Sequence, residues 1–288
     1  MLHSMTGFAR QSVDTEFGAL TWELRAVNHR YLDVQFKLPD EFRPQEQAFR
    51  QQVGDRLKRG KIECAFRFRR VLDASSEMQL NDELVKLLST RLASIASVLH
   101  DADKVDPIDI LRWPGVIQQS EIEVEPLFQA ISDLLAKSIE AMLAMRASEG
   151  LRIASMLESR CADIASLATS VRARMPEVLD AVRKKQQERI DQLDVDANPE
   201  RLELELALIA QKIDVDEELD RLDSHIAEIR ETLAKDEPVG RRLDFLMQEL
   251  NREANTLGSK SADAETSKAA VELKVLIEQM REQVQNVE

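Results

Sequence analysis

Glycine and proline are scarce in this chain, 8 of each in 288 residues, and aromatic residues make up only 4%. So few turn-formers argue against many short strands and hairpins, and for long helices. Two cysteines, Cys64 and Cys161, are too few for a disulfide framework or a zinc site of their own. Isolated thiols fit a reducing cytoplasm. No apolar run approaches the roughly 20 residues that span a bilayer, and the opening MLHSMTGFARQS has no signal-peptide core. A cytoplasmic protein without a membrane partner is expected. Positive charge is also in deficit: the net charge is −14 and the pI near 4.9. A protein that grips nucleic acid over its whole surface is basic, because phosphate neutralisation supplies most of the affinity. That mode is excluded, and DNA is not an expected partner. Any nucleic-acid contact must use a local basic site inside an acidic shell.

What is present suits a folded protein, with 43% apolar and 32% charged residues. Residues 19–27 alternate, with Leu20, Trp22, Leu24 and Ala26 on one face. Residues 34–38 and 61–69 repeat the pattern, burying Val34, Phe36 and Leu38, then Ile62, Cys64, Phe66 and Phe68. Three half-buried strands imply a sheet with one dry and one charged face. Pro39 to Lys58 reads as a helix, and a second starts after Asn81, an N-cap, and runs to about Leu99. Beyond the turn Trp113-Pro114-Gly115 nearly everything is helical. From Leu157 to Val182 apolar residues recur at alternating steps of four and three, a heptad seam that Pro176 is expected to bend or interrupt. Leu273, Leu276, Met280, Val284 and Val287 repeat the device. Such seams need a partner, either within the chain or in another copy. The fold class expected is α+β: a sheet-containing domain over 1–115, a long helical arm over 116–200 and a coiled-coil-like helical domain over 201–288.

Four stretches carry candidate chemistry. In DVDEELDRLDSH, Asp214 to His225, the apolar stripe Val215, Leu219, Leu222 and Ile226 is edged by Glu218, His225, Asp214 and Arg221. A carboxylate and an imidazole two turns apart can serve a divalent ion or a general acid/base pair. Their i, i+7 spacing requires further ligands from another element, and a solvated acidic face is the competing reading. The helix from Val239 to about Leu257 sets Arg241, Asp244, Gln248, Asn251, Arg252 and Asn255 opposite its apolar face, with Arg242, Glu249 and Glu253 along one edge. Arginines and amides make directed bonds to phosphates and bases, although an intersubunit polar network has the same composition. Phe245 falls on the polar side, where it can stack on a base or bury in an interface. In Leu257-Gly258-Ser259-Lys260-Ser261, read as a break, backbone amides and Lys260 can hold a phosphate. Near the N-terminus, Arg25, Asn28, Arg30, Lys61, Arg67 and Arg69, with His29 and Tyr31, suggest a basic surface. Pairing to Glu23 and Glu63 is the plainer alternative.

The segments SMTGFAR (4–10), WELRAVNHRYLD (22–33), LKRGKIE (57–63), ILRWPGV (110–116), DVDEELDRLDSH (214–225), VGRRLDFLMQELNREANTLGSKS (239–261) and ELKVLIEQMREQVQN (272–286) together resemble the YicC family. The resemblance implies a cytoplasmic endoribonuclease that depends on a divalent metal (Mg or Mn) and works as a homohexamer enclosing RNA. Our own assignment within those motifs makes His225, Glu218, Asp244, Arg241 and Arg242 catalytic. Glu218, His225, Glu249 and Glu253 are the metal candidates. Arg25, Asn28, Arg30, Lys61, Arg67, Arg252, Asn255 and Lys260 are the RNA-binding set. Two rival readings are a non-catalytic adaptor that presents RNA to other nucleases and a purely structural oligomer.

Overall fold

A computed structural model describes residues 2–70, 80–99, 105–117, 124–192 and 199–288. Its N-terminal sheet has the order β1-β2-β4-β3, with β1 Gly7–Thr15, β2 Gly18–Val27, β3 Leu32–Lys37 and β4 Gly60–Arg70. β1, β2 and β4 pair antiparallel, and β3 joins β4 in parallel. That parallel connection needs a crossover, supplied by a 3-10 turn at Asp40–Gln45 and α1, Glu46–Arg56. Gly18 closes the β1–β2 turn at φ +132°, a backbone region that side-chain-bearing residues avoid. Three of the four strands lie where the alternation placed them. β1 was not expected, because Phe8 and Val13 fall on opposite faces and leave no clear apolar side.

Trp22 organises the sheet's dry face. Its ring packs against Phe36, Phe49 and Phe66, and its indole nitrogen donates to the Ile131 carbonyl at 3.1 Å. Ile131 belongs to α4, Val124–Gln192, a single helix of 69 residues. Leu127 to Met142 of α4 complete the sheet core, whereas Ile153 to Val171 enter a second core with the C-terminal helices. One rod therefore serves both cores. Only its far end, beyond Val178, projects with α5, Pro199–Ile213, as an arm tied by Arg183 and Glu203. α4 runs through Pro176 as continuous helix, so the expected interruption does not occur.

The second core joins α4 to α6 Asp216–Leu233, α7 Gly240–Lys260 and α8 Ala264–Val284. The heptad residues Leu157, Cys161, Ile164, Ala168 and Val171 are buried there, so much of the seam's partner lies within the chain. Asp263 caps α8 by accepting from the Thr266 amide at 3.0 Å and pairs with Arg174 at 2.7 Å. Asn81 caps α2, Asp82–Val98, as expected. α2 buries none of its residues and leaves Leu87, Ile95 and Val98 exposed, with Leu99 exposed at its C-cap; a short α3 follows at Pro107–Leu111.

The two chain ends meet between the cores. His3 and Glu288 exchange backbone bonds, and the Met5 amide donates to the Asn286 carbonyl. Arg146 of α4, 3% exposed, donates to the Ser4 carbonyl and to Glu288. Gly150 and Gly240 are required here, since a methyl group on either would overlap the carbonyl oxygen of Leu2 or Val287. No helix among the described residues is long and apolar enough to cross a membrane.

Candidate functional site at the α6–α7 seam

α6 and α7 pack antiparallel through Leu219, Leu222, Ile226, Leu243, Leu246 and Leu250, and a line of charged residues borders that contact. Lys260 donates to both oxygens of Glu218 at 2.8 and 2.9 Å. Further along, Arg221 lies 3.6 Å from Glu253, and Arg242 pairs with Glu228. At about 100° per residue, Arg242, Glu249, Glu253 and Lys260 fall within about 20° of a single line on α7. His225 lies between Arg221 and Glu228 on α6, and Glu249 between Arg242 and Glu253 on α7. The same two ion pairs therefore bracket both residues. His225 and Glu249 are half-buried and form no ion pair or hydrogen bond among the described residues. An imidazole and a carboxylate flanked by two guanidiniums can move a proton and hold an anion in one place.

The other expected residues divide. Asp244 accepts from Gln248 at 2.9 Å, and Asn255 donates to Asn251 at 2.7 Å, so these polar groups partly satisfy each other. Arg241 and Arg252 are exposed and form no ion pair among the described residues. Phe245 is 47% exposed and carries the Arg242 guanidinium 5.5 Å from its ring centre. Asp220 and Asp223, on the far edge of α6, bind Arg172 of α4 and are structural. Residues 257–260 are not a loop: α7 continues to Lys260, and the break falls at Ser261 to Asp263. The amides of Gly258 and Ser259 thus lie inside the helix, and Lys260 serves Glu218 rather than a phosphate loop.

Nor does the metal quartet Glu218, His225, Glu249 and Glu253 converge on a point. Seven helical residues separate Glu218 from His225 by about 10 Å along the axis, and Lys260 occupies both Glu218 oxygens. Among the described residues no group of three or more His, Cys, Asp or Glu side chains is placed to hold an ion. The cysteines are also remote from such chemistry. Burial pushes the Cys64 thiol up to about 12 and the Cys161 thiol to about 11, so both stay protonated.

In the sheet domain, Arg25, Lys61 and Arg67 are exposed on the face opposite Trp22. Arg25 binds Glu23 at 2.8 Å, as the plainer alternative anticipated for that residue, but Arg67 has no such partner among the described residues. Arg30 and the exposed Tyr31 stack in the β2–β3 loop, at 5.3 Å. Asn28 is exposed and already holds one partner. It donates to the Gln285 carbonyl at 2.6 Å, joining β2 to the turn after α8. Gly240, at the start of α7, abuts Val287 of that same turn. The basic sheet end and the Arg242 end of the seam therefore meet the chain's last residues together. Sequence reading missed Glu228 and Arg146. Continuing the Glu218–His225 edge by three residues reaches Glu228, and a lone arginine within the apolar run Ala141 to Ala147 marks Arg146.

Fold and site together define a two-core α+β protein with an acid–base and guanidinium seam between two C-terminal helices. Two family models match: "Endoribonuclease YicC-like, N-terminal region" over residues 2–155 and "Endoribonuclease YicC-like, C-terminal" over residues 171–288. The "Probable endoribonuclease YicC" of Haemophilus influenzae is 42% identical over 288 residues, covering 100% of both chains. The protein of the same name from Clostridioides difficile is 31% identical over 297 residues, again covering 100% of both. The chain belongs to the YicC-like endoribonuclease family.

Proposed function

We propose that this protein is an endoribonuclease and that it cuts RNA at the α6–α7 seam. The observation that carries this reading is the window holding His225 and Glu249 between the Arg221–Glu253 and Arg242–Glu228 pairs. In the reaction, the attacking oxygen bonds to phosphorus as the bond to the leaving oxygen breaks; His225 takes the attacking oxygen's proton, Glu249 orients the imidazole, and the imidazolium, directly or through water, returns a proton to the leaving oxygen. Arg221 and Arg242 turn from their carboxylates to the phosphate and stabilise the charge that builds on its oxygens. Arg241 and Arg252, which pair with no carboxylate among the described residues, hold the flanking phosphates. The relatives' names supply the substrate class, and the directed donors along α7 suit it.

Metal dependence and a homohexameric enclosure, both implied by the family resemblance, belong to this proposal as well. Because the described residues of one protomer do not bring three ligands together, a magnesium or manganese ion here would draw donors from RNA phosphates or from a second copy as well. Assembly is supported by the apolar side chains exposed on α2, by Leu204 and Leu208 on α5, and by Val271 and Val275 on α8. An assembly that turns the arginines inward gives an acidic chain a basic interior for RNA.

Titrating EDTA, then magnesium or manganese, against purified protein and end-labelled RNA tests the reading. Cleavage restored by the ion supports all of it. Cleavage that survives chelation and leaves 2′,3′-cyclic phosphate ends keeps the nuclease and removes the metal. Binding without cleavage under every metal identifies an adaptor instead.

A further inference from the structure

The face of the sheet turned away from Trp22 is not covered by any element among the described residues. Strand register sets its side chains in rows. Ser12, Thr21 and Arg67 form one row, Asp14, Ala19 and Arg69 the next, and Arg10, Glu23 and Ala65 a third. Rows on one face lie about 7 Å apart. The middle of the surface is small or hydroxylic at Ala19, Thr21 and Ala65, a low floor between Arg10 on one side and Arg67 and Arg69 on the other. Phe8, 43% exposed, stands at one end with the Arg25 guanidinium 5.6 Å from its ring centre.

Basic side chains outnumber acidic ones on this face, although the whole chain is strongly acidic. Internal pairing sharpens the imbalance. Arg25 takes Glu23 and Lys37 takes Glu63, which leaves Arg10, Lys61, Arg67 and Arg69 without an ion pair among the described residues. Guanidiniums beside a flat floor, with one upright aromatic ring, match a ribose-phosphate backbone whose bases stack as they pass. The surface suits a second protein copy less well. Interface centres are depleted in charge and rich in large apolar anchors, and this floor offers unpaired arginines and alanines. On this face only Phe8 and Val27 are exposed apolar side chains among the described strand residues, whereas α2, α5 and α8 carry them in groups.

We infer that this sheet face is a docking platform for single-stranded RNA, with Phe8 stacking on a base and Arg10, Arg67 and Arg69 tracking the phosphates. It rests on the endoribonuclease reading and adds a binding surface distinct from the seam. The two are linked through Asn28 and Gln285, so a strand crossing the sheet is delivered toward the Arg242 end of α7.

The test uses the full-length protein and a fluorescein-labelled 2′-O-methyl oligouridine, read by anisotropy across a salt series, with an abasic strand of equal length. Two variants are compared with wild type, Phe8→Leu and the double variant Arg67→Gln/Arg69→Gln, with circular dichroism and sedimentation confirming fold and assembly. Phe8→Leu is expected to weaken oligouridine binding on the order of ten-fold and to leave abasic binding unchanged. The double variant should reduce the slope of log K against log salt by about 1.4, roughly 0.7 per lost phosphate contact. Equal affinity and slope in both variants, while wild type still binds and cuts RNA, overturns the platform and spares the nuclease. Loss of assembly in either variant identifies a protomer interface instead and also overturns it. A wild type that neither binds nor cuts any RNA overturns the functional reading beneath it.

Discussion

Lys260, at the end of α7, donates from one ammonium to both carboxylate oxygens of Glu218, at the start of α6. Glu218 is 5% exposed and its Lys260 partner only partly so, and the pair locks the antiparallel register of the two helices. Removing one partner of such a pair costs more than removing both, because the remaining charge is stranded. Lys260→Met is expected to destabilise the protein by about 3 kcal/mol, measured by urea unfolding. Adding Glu218→Gln should recover part of that loss. Additive losses in the double variant would show that the pair is not coupled.

Arg146 makes the chain ends part of the fold. Deleting Asn286 to Glu288 removes the bonds to His3 and Met5 and takes Val287 from the core. It also leaves a buried guanidinium without its carboxylate. The truncated protein should lose at least about 3 kcal/mol of stability, seen as a lower urea midpoint. A neutral truncation would mean that the clasp is decorative.

Asp263 gives stability a dependence on acid. Burial disfavours its ionised form, yet hydrogen bonds from Thr266 and Arg174 outweigh that and hold its carboxyl below the usual carboxylate range. A depressed folded-state value means that the unfolded chain binds the proton more readily. The contribution is therefore present above the unfolded value, about 3.9, and is lost as pH falls through the lower folded value. Asp263→Asn should flatten the fall of the thermal midpoint below about pH 4, and an unchanged slope would contradict the cause assigned.

Protonated, buried thiols should be silent. Native protein at pH 8 is expected to react with iodoacetamide at Cys64 and Cys161 only as fast as it unfolds, as followed by mass spectrometry. Full labelling of folded protein within minutes would show that either core opens readily.

Much of this fold was legible because alternation and helical periodicity report burial directly. Leu20, Trp22 and Leu24 had to share a face, and Leu157, Cys161 and Ile164 had to share a stripe. What periodicity cannot express is which partner fills a stripe. The heptad residues of α4 are consumed by α6 and α8 within the chain, and β1 was hidden because edge residues such as Phe8 and Val13 stay exposed. At the site, helical angles placed Glu218, His225, Glu249 and Glu253 along correct edges, and that much holds. What angles within one helix do not contain is the reach of Lys260 across the seam to Glu218. Pairings such as Arg242 with Glu228 depend on the relative slide of two helices, a quantity that sequence spacing within either one does not contain.

Proton transfer by the His225 imidazole in the α6–α7 window is the centre of this account. Single-turnover cleavage of end-labelled RNA by wild type and His225→Ala, matched for assembly by sedimentation, tests it most directly. The account predicts a variant slower by about 10²- to 10⁴-fold with RNA affinity nearly unchanged. A variant that cuts at the wild-type rate would contradict it.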